Sequence, residues 1–245
     1  SSDAGKSWKN VGLKNSEHVS KIIVHPNNSD VIWVAAQGPL WSSGGDRGLF
    51  KSVDGGKTWE TSDPFPANGT GEATIAELSD GTVYYNSRRH WAQEGADPRR
   101  RWTATSADGG KSWKDLTFCK VLPDGPQNTN YGCMAGLTRL NVKGRDVLLY
   151  SNCDSPGGRR LGTVWASFDG GKTWPLKRLV FKGSFAYSAM TSGRPGTSTE
   201  GLVLLHFEGG PKGGSTLARF NLSWVLGGEK TGDGSVPGWA HSKAK

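Results

Sequence analysis

The side chains in this sequence that could do chemistry lie in strand-like or turn-like settings rather than in one cluster. Glu72 stands in Gly71-Glu72-Ala73-Thr74-Ile75-Ala76-Glu77-Leu78, and Arg88 follows sixteen residues later in Tyr84-Tyr85-Asn86-Ser87-Arg88-Arg89. A second arginine pair, Arg159 and Arg160, precedes Thr163-Val164-Trp165-Ala166-Ser167. Tyr187 sits in Gly183-Ser184-Phe185-Ala186-Tyr187-Ser188, where the small residues around it leave an open approach. Guanidinium groups bind carboxylates bidentately and stay charged at every relevant pH. A tyrosine hydroxyl becomes a nucleophile only when a neighbouring base takes its proton. Taken singly these residues carry little weight, because a strand arginine is ordinarily a solvated charge and a strand tyrosine ordinarily belongs to a core. Whether they act together depends on the elements that hold them.

Other chemistries are excluded more readily. Cys119, Cys133 and Cys153 have no metal-ligand spacing such as C-x-x-C, and the five histidines are scattered. No metal and no cofactor is therefore expected. At most one disulfide could form, and buried thiols are the expected state. The chain carries 30 Lys+Arg against 22 Asp+Glu, a net charge of +8, which could serve nucleic acid, an anionic surface or an acidic ligand. Its densest basic run, Arg99-Arg100-Arg101 beside Trp102, leads straight into an alternating pattern and a tight turn, so it reads as a loop and strand start rather than a nucleic-acid groove. No apolar run approaches the ~18 residues that a membrane-spanning helix needs. The sequence opens at Ser1 with no charged-then-apolar leader. The compartment stays open, with a secreted or periplasmic setting expected.

The positioning elements come from a repeat. The pattern S-x-D-x-G-K-[ST]-W occurs four times, ending at Trp8, Trp59, Trp113 and Trp174, at spacings of 51, 54 and 61 residues. In each copy the aspartate (Asp3, Asp54, Asp108 or Asp169) is expected to accept turn N–H groups, Gly to supply positive φ, and Trp to pack as the next strand begins. These aspartates are structural. Between copies run short alternating segments bounded by Gly or Pro: 18–24, 31–36 and 48–52; 73–78, 82–86 and 102–106; 136–140, 147–151 and 163–167; 187–191, 202–207 and 217–225. About four short strands per interval and no amphipathic helix make this an all-β chain, a β-propeller of four-stranded antiparallel blades with four blades visible. One propeller domain over residues 1–245 is expected, ending in a Gly- and Lys-rich tail, residues 229–245. The segment 6–13 is expected to complete the last blade and close the ring.

These repeats resemble the Asp-box, or BNR, repeats of sialidases and related propellers. Residues 1–60, with His18-Val19-Ser20-Lys21-Ile22-Ile23-Val24-His25-Pro26 and Trp33-Val34-Ala35-Ala36-Gln37-Gly38-Pro39-Leu40-Trp41, look more like sortilin-type Asp-box propellers. Residues 61–228 resemble the later blades of bacterial exo-α-sialidases, whose propellers have six blades. The resemblance implies a tyrosine nucleophile with a glutamate base, the exception to the two-carboxylate scheme for glycosidases. Tyr187 matches the nucleophile, Glu72 the base, and Arg88 the second arginine of the triad that holds the substrate carboxylate. Arg159 matches the third by register, with Arg160 as competitor. Asn152 and Asp154 are given a pocket-lining role and Glu208 a place at the rim. The family's first arginine, in an R-I-P segment, and its acid/base aspartate have no recognisable counterpart here. Asp46, beside Arg47, is read as an ordinary loop residue with recruitment as the acid as the alternative.

Two functions follow. The first is a sialidase-like hydrolase that removes terminal α-linked sialic acid from a sialoglycoconjugate or other acidic sugar, impaired to the extent that the first arginine and the acid are missing. The second is a non-catalytic Asp-box propeller that binds acidic glycans or a protein partner. An unclosed ring would also permit an edge-paired homodimer.

Overall fold

In the computed structural model, residues 1–228 are described apart from 2, 40, 43, 68–69, 90–99, 127–131 and 143–144. The expected tail and Arg99 lie outside the described residues. Among the described residues there are fourteen strands, and they pair as consecutive antiparallel meanders. The first blade is β1 (Val19–His25), β2 (Asn28–Ala36), β3 (Gly48–Ser52) and β4 (Glu60–Thr61). The second is β5 (Thr70–Glu77), β6 (Val83–Arg89), β7 (Arg100–Ser106) and β8 (Lys114–Pro123). The third is β9 (Gly136–Val142), β10 (Arg145–Cys153), β11 (Arg160–Ser167) and the first half of β12 (Leu176–Ser192). Strand β12 then continues without a break into the fourth blade, where residues 185–192 pair with β13 (Leu202–Gly209), followed by β14 (Ser215–Asn221).

Period-2 alternation explains why these sheets stack as blades, since each strand must bury both faces against a neighbour. Tyr85 joins Trp33 and Leu49 in the core between the first and second blades, while Tyr84, the next residue along, joins Leu137, Tyr150 and Trp174 in the core between the second and third. Leu149 turns instead toward the fourth blade, packing in one core with Phe185, Val203 and Phe207. Three cores thus lie between blades, and the innermost strands β1, β5 and β9 and the second half of β12 gather around a common axis.

The repeated turns bond alike. In the second copy, Asp54 accepts from Lys57 N and Thr58 N, both at 2.9 Å, and from Thr58 Oγ1 at 2.6 Å, while Ser52 Oγ donates to it at 2.8 Å. Asp108 repeats this set, and Asp169 repeats its serine and threonine bonds. Asp3 accepts likewise from Ser1 Oγ, Ser7 N and Ser7 Oγ, although its turn places Ala4 at φ 58 where the later copies have glycine. The hydroxyl and backbone donors hold the Asp3 carboxyl down at about 2.

Three expectations need correction. Residues 6–13 form no strand beside β14; Val11 O accepts from the Trp59 indole at 3.1 Å, so this segment packs on the first blade. Among the described residues the fourth blade therefore has three strands. The segment read as a strand over 217–225 ends at Asn221, whose side chain caps a short helix α1 (Leu222–Val225) by accepting from Trp224 N at 2.8 Å. Trp8, in the first repeat, stays 81% exposed instead of packing.

Lys21 of β1 crosses the axis. Its ammonium donates to Met190 O at 2.7 Å and Leu137 O at 3.4 Å, joining the first blade to the third and fourth. Burial lowers its pKa to about 8. The unfolded chain holds the proton to about 10.4, so it binds more protons than the folded chain between those values and stability rises with pH across that window. Lys21→Met is expected to remove this part of the rise and to stabilise the protein by about 1 kcal/mol at pH 7, as read from urea unfolding at pH 7, 8, 9 and 10. An unchanged pH profile would refute the buried-lysine account.

Candidate active site

Strand direction gathers the reactive side chains at one end of the axis. The innermost strands all begin at that end, and the hairpins β5–β6, β9–β10 and β10–β11 fix which residues return to it. Glu72 lies near the start of β5, Arg88 near the end of antiparallel β6, Arg159 in the bend before β11, and Tyr187 early in the fourth blade's innermost strand. The Asp-box turns follow β3, β7 and β11 at the opposite end, which leaves their carboxylates outside the site.

Local irregularities aim the two central residues. The register between β5 and β6 shifts between Thr70 and Ala73, and that between β12 and β13 shifts between Phe185 and Ser188. Glu72 and Tyr187 each fall inside such a shift, where a bulge frees a side chain from strict alternation. Phe185 anchors the turn-in of β12: it stacks on Phe207 with centroids 4.5 Å apart, and its N donates to Arg159 O at 3.0 Å. Gly162 makes room for it, since a Cβ there would lie 1.9 Å from Phe185 Cδ2.

Arg88 Nη1 is shared. It donates to Glu72 Oε2 in a short ion pair and to the Tyr187 hydroxyl at 2.8 Å. The Arg88 side chain is 3% exposed, and its Nε has no partner among the described residues. Burial disfavours the charged guanidinium, but the Glu72 carboxylate and the tyrosine oxygen outweigh it and raise its pKa. The Arg159 guanidinium lies 5.1 Å from the Tyr187 ring centroid, on the cavity wall. Burial raises the Tyr187 pKa, the charge of Glu72 raises it further and Arg88 opposes both, so the hydroxyl is protonated at neutral pH and needs a base to act as a nucleophile.

These four residues line one end of a cavity of about 880 Å³ that runs between the first and second blades. Its far wall is aromatic. Phe65 stacks on Tyr85 at 4.6 Å, and Tyr85 meets Trp113 at 4.9 Å. Arg47, also on the wall, donates to the carbonyls of Gly44, Gln37, Pro39 and Ser42, and so folds the Gly-rich loop around itself. Asp46 accepts from Asn15 N at 3.0 Å and does not reach the cavity wall.

The remaining candidates are placed elsewhere. Arg160 folds back on its own turn, with Nε 3.2 Å from Gly157 O, so it is Arg159 that reaches the cavity. Asn152 is fully buried and braces the third blade, donating to the Tyr150 hydroxyl at 2.9 Å and accepting from Cys153 N at 2.8 Å. Asp154 pairs with Lys177 at 2.7 Å. The pocket-lining role expected of Asn152 and Asp154 thus does not match where they lie. Glu208 is exposed on β13, in a separate depression behind Tyr187 that it shares with Glu17, His18 and His206. Among the described residues no group of three or more His, Cys, Asp or Glu side chains could hold a metal ion, and no helix is long and apolar enough to cross a membrane.

The sequence reading missed the support beneath the site. Arg101 is wholly buried and pairs with Asp124 at 2.7 Å, and the other Asp124 oxygen accepts from Arg89 N at 2.8 Å, one residue from Arg88. The signal was a run of three arginines in which one falls on the inward phase of a strand. The aromatic wall was missed as well, because Phe65, between Pro64 and Pro66, lies outside every repeat.

Comparison with known proteins gives the repeats a family. The family described as "BNR repeat-like domain" matches residues 1–199. A protein named Sialidase from Micromonospora viridifaciens is 36% identical over 190 residues, which is 74% of this chain and 27% of that protein. Another named Sialidase, from Bacteroides fragilis (strain YCH46), is 33% identical over 152 residues, covering 59% of this chain and 26% of that protein. Among solved structures, Hadza microbial sialidase Hz136 superposes with a TM-score of 0.57 at 29% identity, over 80% of this chain and 35% of that one. A leech intramolecular trans-sialidase superposes with a TM-score of 0.62 over 93% of this chain and 36% of its own, and at 18% identity it speaks for the fold alone. The chain spans about a quarter of the length of the curated relatives it matches.

Proposed function

We propose, from the premise that this chain belongs to the BNR repeat-like domain family, that it carries the nucleophile-bearing side of a sialidase-type active site and acts on terminal α-linked sialic acid or a closely related acidic sugar. The observation that carries this reading is the sharing of Arg88 Nη1 between Glu72 and the Tyr187 hydroxyl. The relatives named Sialidase support the substrate class.

The chemistry follows from charge. The substrate carries a carboxylate beside its anomeric carbon, which would repel an anionic carboxylate nucleophile and favours a neutral phenol deprotonated only at the moment of attack. Arg88 and Arg159, both on the cavity wall, hold the substrate carboxylate. Glu72 takes the phenolic proton, the tyrosine oxygen bonds to the anomeric carbon, and the bond to the leaving oxygen breaks. Arg88 stays hydrogen-bonded to the phenolic oxygen as its negative charge develops and is consumed. Water then attacks the same carbon, Glu72 returns the phenolic proton to the departing tyrosine oxygen, and the proton that the water loses passes to solvent, where it balances the anionic leaving group. The aromatic wall of Phe65, Tyr85 and Trp113 offers an apolar surface beside this centre.

Protonation of the leaving group is the step for which the described residues offer no placed acid. An aryl α-sialoside, whose leaving group departs as a stable phenolate, makes least demand on that acid, so it is the substrate of choice. Turnover of such a sialoside by the folded chain is expected. A correctly folded chain with no turnover above background would overturn the hydrolase reading.

A further inference from the structure

We propose that Cys133 and Cys153 are joined as a disulfide when the chain folds in the presence of a small-molecule disulfide oxidant. The two sulfurs lie 3.8 Å apart, with the Cys153 thiol directed at Cys133 Sγ, and both residues are fully buried. Closing to a bond needs about 1.8 Å of combined approach. The partners come from separate elements twenty residues apart: Cys153 ends β10, and Cys133 lies in the segment leading into β9.

The backbone holds both residues in place for this. Cys133 N donates to Asp124 O at 3.2 Å, and Cys133 O accepts from Arg101 Nη1 at 3.3 Å and Asn152 Nδ2 at 3.4 Å. Cys153 N donates to Asn152 Oδ1. The folded chain also sets the two thiols apart. The hydrogen bond from Cys153 lowers the Cys133 pKa, burial opposes it, and the charges of Arg159 and Arg88 assist. The same bond, seen from its donor, and burial raise that of Cys153. Before the chain closes over them, either thiolate displaces one thiolate from the oxidant to form a mixed disulfide, and the other cysteine then attacks the protein-bound sulfur and releases the second. Two protein thiols give up two electrons and two protons, and one oxidised glutathione becomes two glutathione thiols.

The bond would clamp a segment that bears on the candidate nucleophile's strand. Met134 O, next to Cys133, accepts from Ser188 N at 3.2 Å, and Ser188 follows Tyr187. Cys119, half-buried on β8 in the second blade, takes no part.

The test is to refold the reduced chain in a reduced and oxidised glutathione mixture, block free thiols, count them in denaturant and map the peptides. One free thiol per chain in place of three is expected, with Cys133 and Cys153 in one cross-linked peptide. The melting temperature should exceed that of the reduced chain by roughly 5 °C, and Cys153→Ser should abolish that difference. Because Cys153→Ser alters a buried position, Cys119→Ser serves as the second variant and is expected to fall from two thiols to none. Three thiols remaining in the wild-type chain, or Cys119 in the cross-link, would overturn the proposal.

Discussion

Tyr187→Phe is expected to lower turnover of an aryl α-sialoside by roughly 10³-fold or more, the scale on which loss of a covalent nucleophile is felt. The substitution removes one oxygen and leaves the ring. The ring's contacts with the guanidinium groups of Arg88, at 5.7 Å, and Arg159, at 5.1 Å, persist, as does the ion pair between Arg88 and Glu72. Folding and carboxylate binding are therefore expected to survive while the covalent step is lost. The informative measurement pairs turnover with sialic acid binding on the same preparations. Binding within about threefold of wild type with turnover lost is the signature of a nucleophile. A variant that retains turnover within tenfold would show that Tyr187 does not form the bond, and the arginines would then define a binding site alone.

How much of this was legible in the sequence depended on the range of the interactions involved. The Asp-box turns were, because every donor to Asp54 lies within four residues of it, so local pattern and local structure are the same thing. Blade membership was legible for the same reason, since antiparallel neighbours are sequential. The long strand β12 was not, because the break between blades falls inside one continuous strand and is marked only by which partner it pairs with, β11 or β13. Arg88 and Tyr187, ninety-nine residues apart, came into view through family pattern; composition and periodicity alone place them only on strands. Register already favoured Arg159 over Arg160, and the fold of Arg160 back onto Gly157 O separates the two. Asn152 misled because its short amide can either line a pocket or bridge Tyr150 and the Cys153 backbone, and only the packing distinguishes the two.

The second large effect is expected beneath the site. Arg101→Met should destabilise the protein by about 3–5 kcal/mol, the range for breaking a buried ion pair by removing one partner. Arg101 fills its inward position with charge at 0% exposure and donates to Asp124, Asn86 Oδ1 at 2.7 Å and Cys133 O, so its loss leaves Asp124 as an uncompensated carboxyl 2% exposed. Burial already pushes that carboxyl up, with Arg101 pulling against it. Without the arginine its pKa in the folded state rises further above the unfolded value. The wild-type carboxyl already keeps its proton up to about 7, so wild type and variant lose stability in parallel from about pH 4 to 7, and the variant's extra penalty opens only above that. Urea unfolding at pH 6 and pH 9 should therefore find the smaller deficit at pH 6. Replacing both partners, in Arg101→Met with Asp124→Leu, removes the orphaned carboxyl and should recover much of the loss. The recovery should be incomplete, because Asp124 also accepts from Arg89 N and so holds the backbone beside Arg88. If the double variant regains stability yet binds sialic acid more weakly than wild type, the buried pair positions the arginine of the site. If the single variant unfolds with the wild-type midpoint at both pH values, the pair contributes nothing measurable and this account of the site's support is wrong.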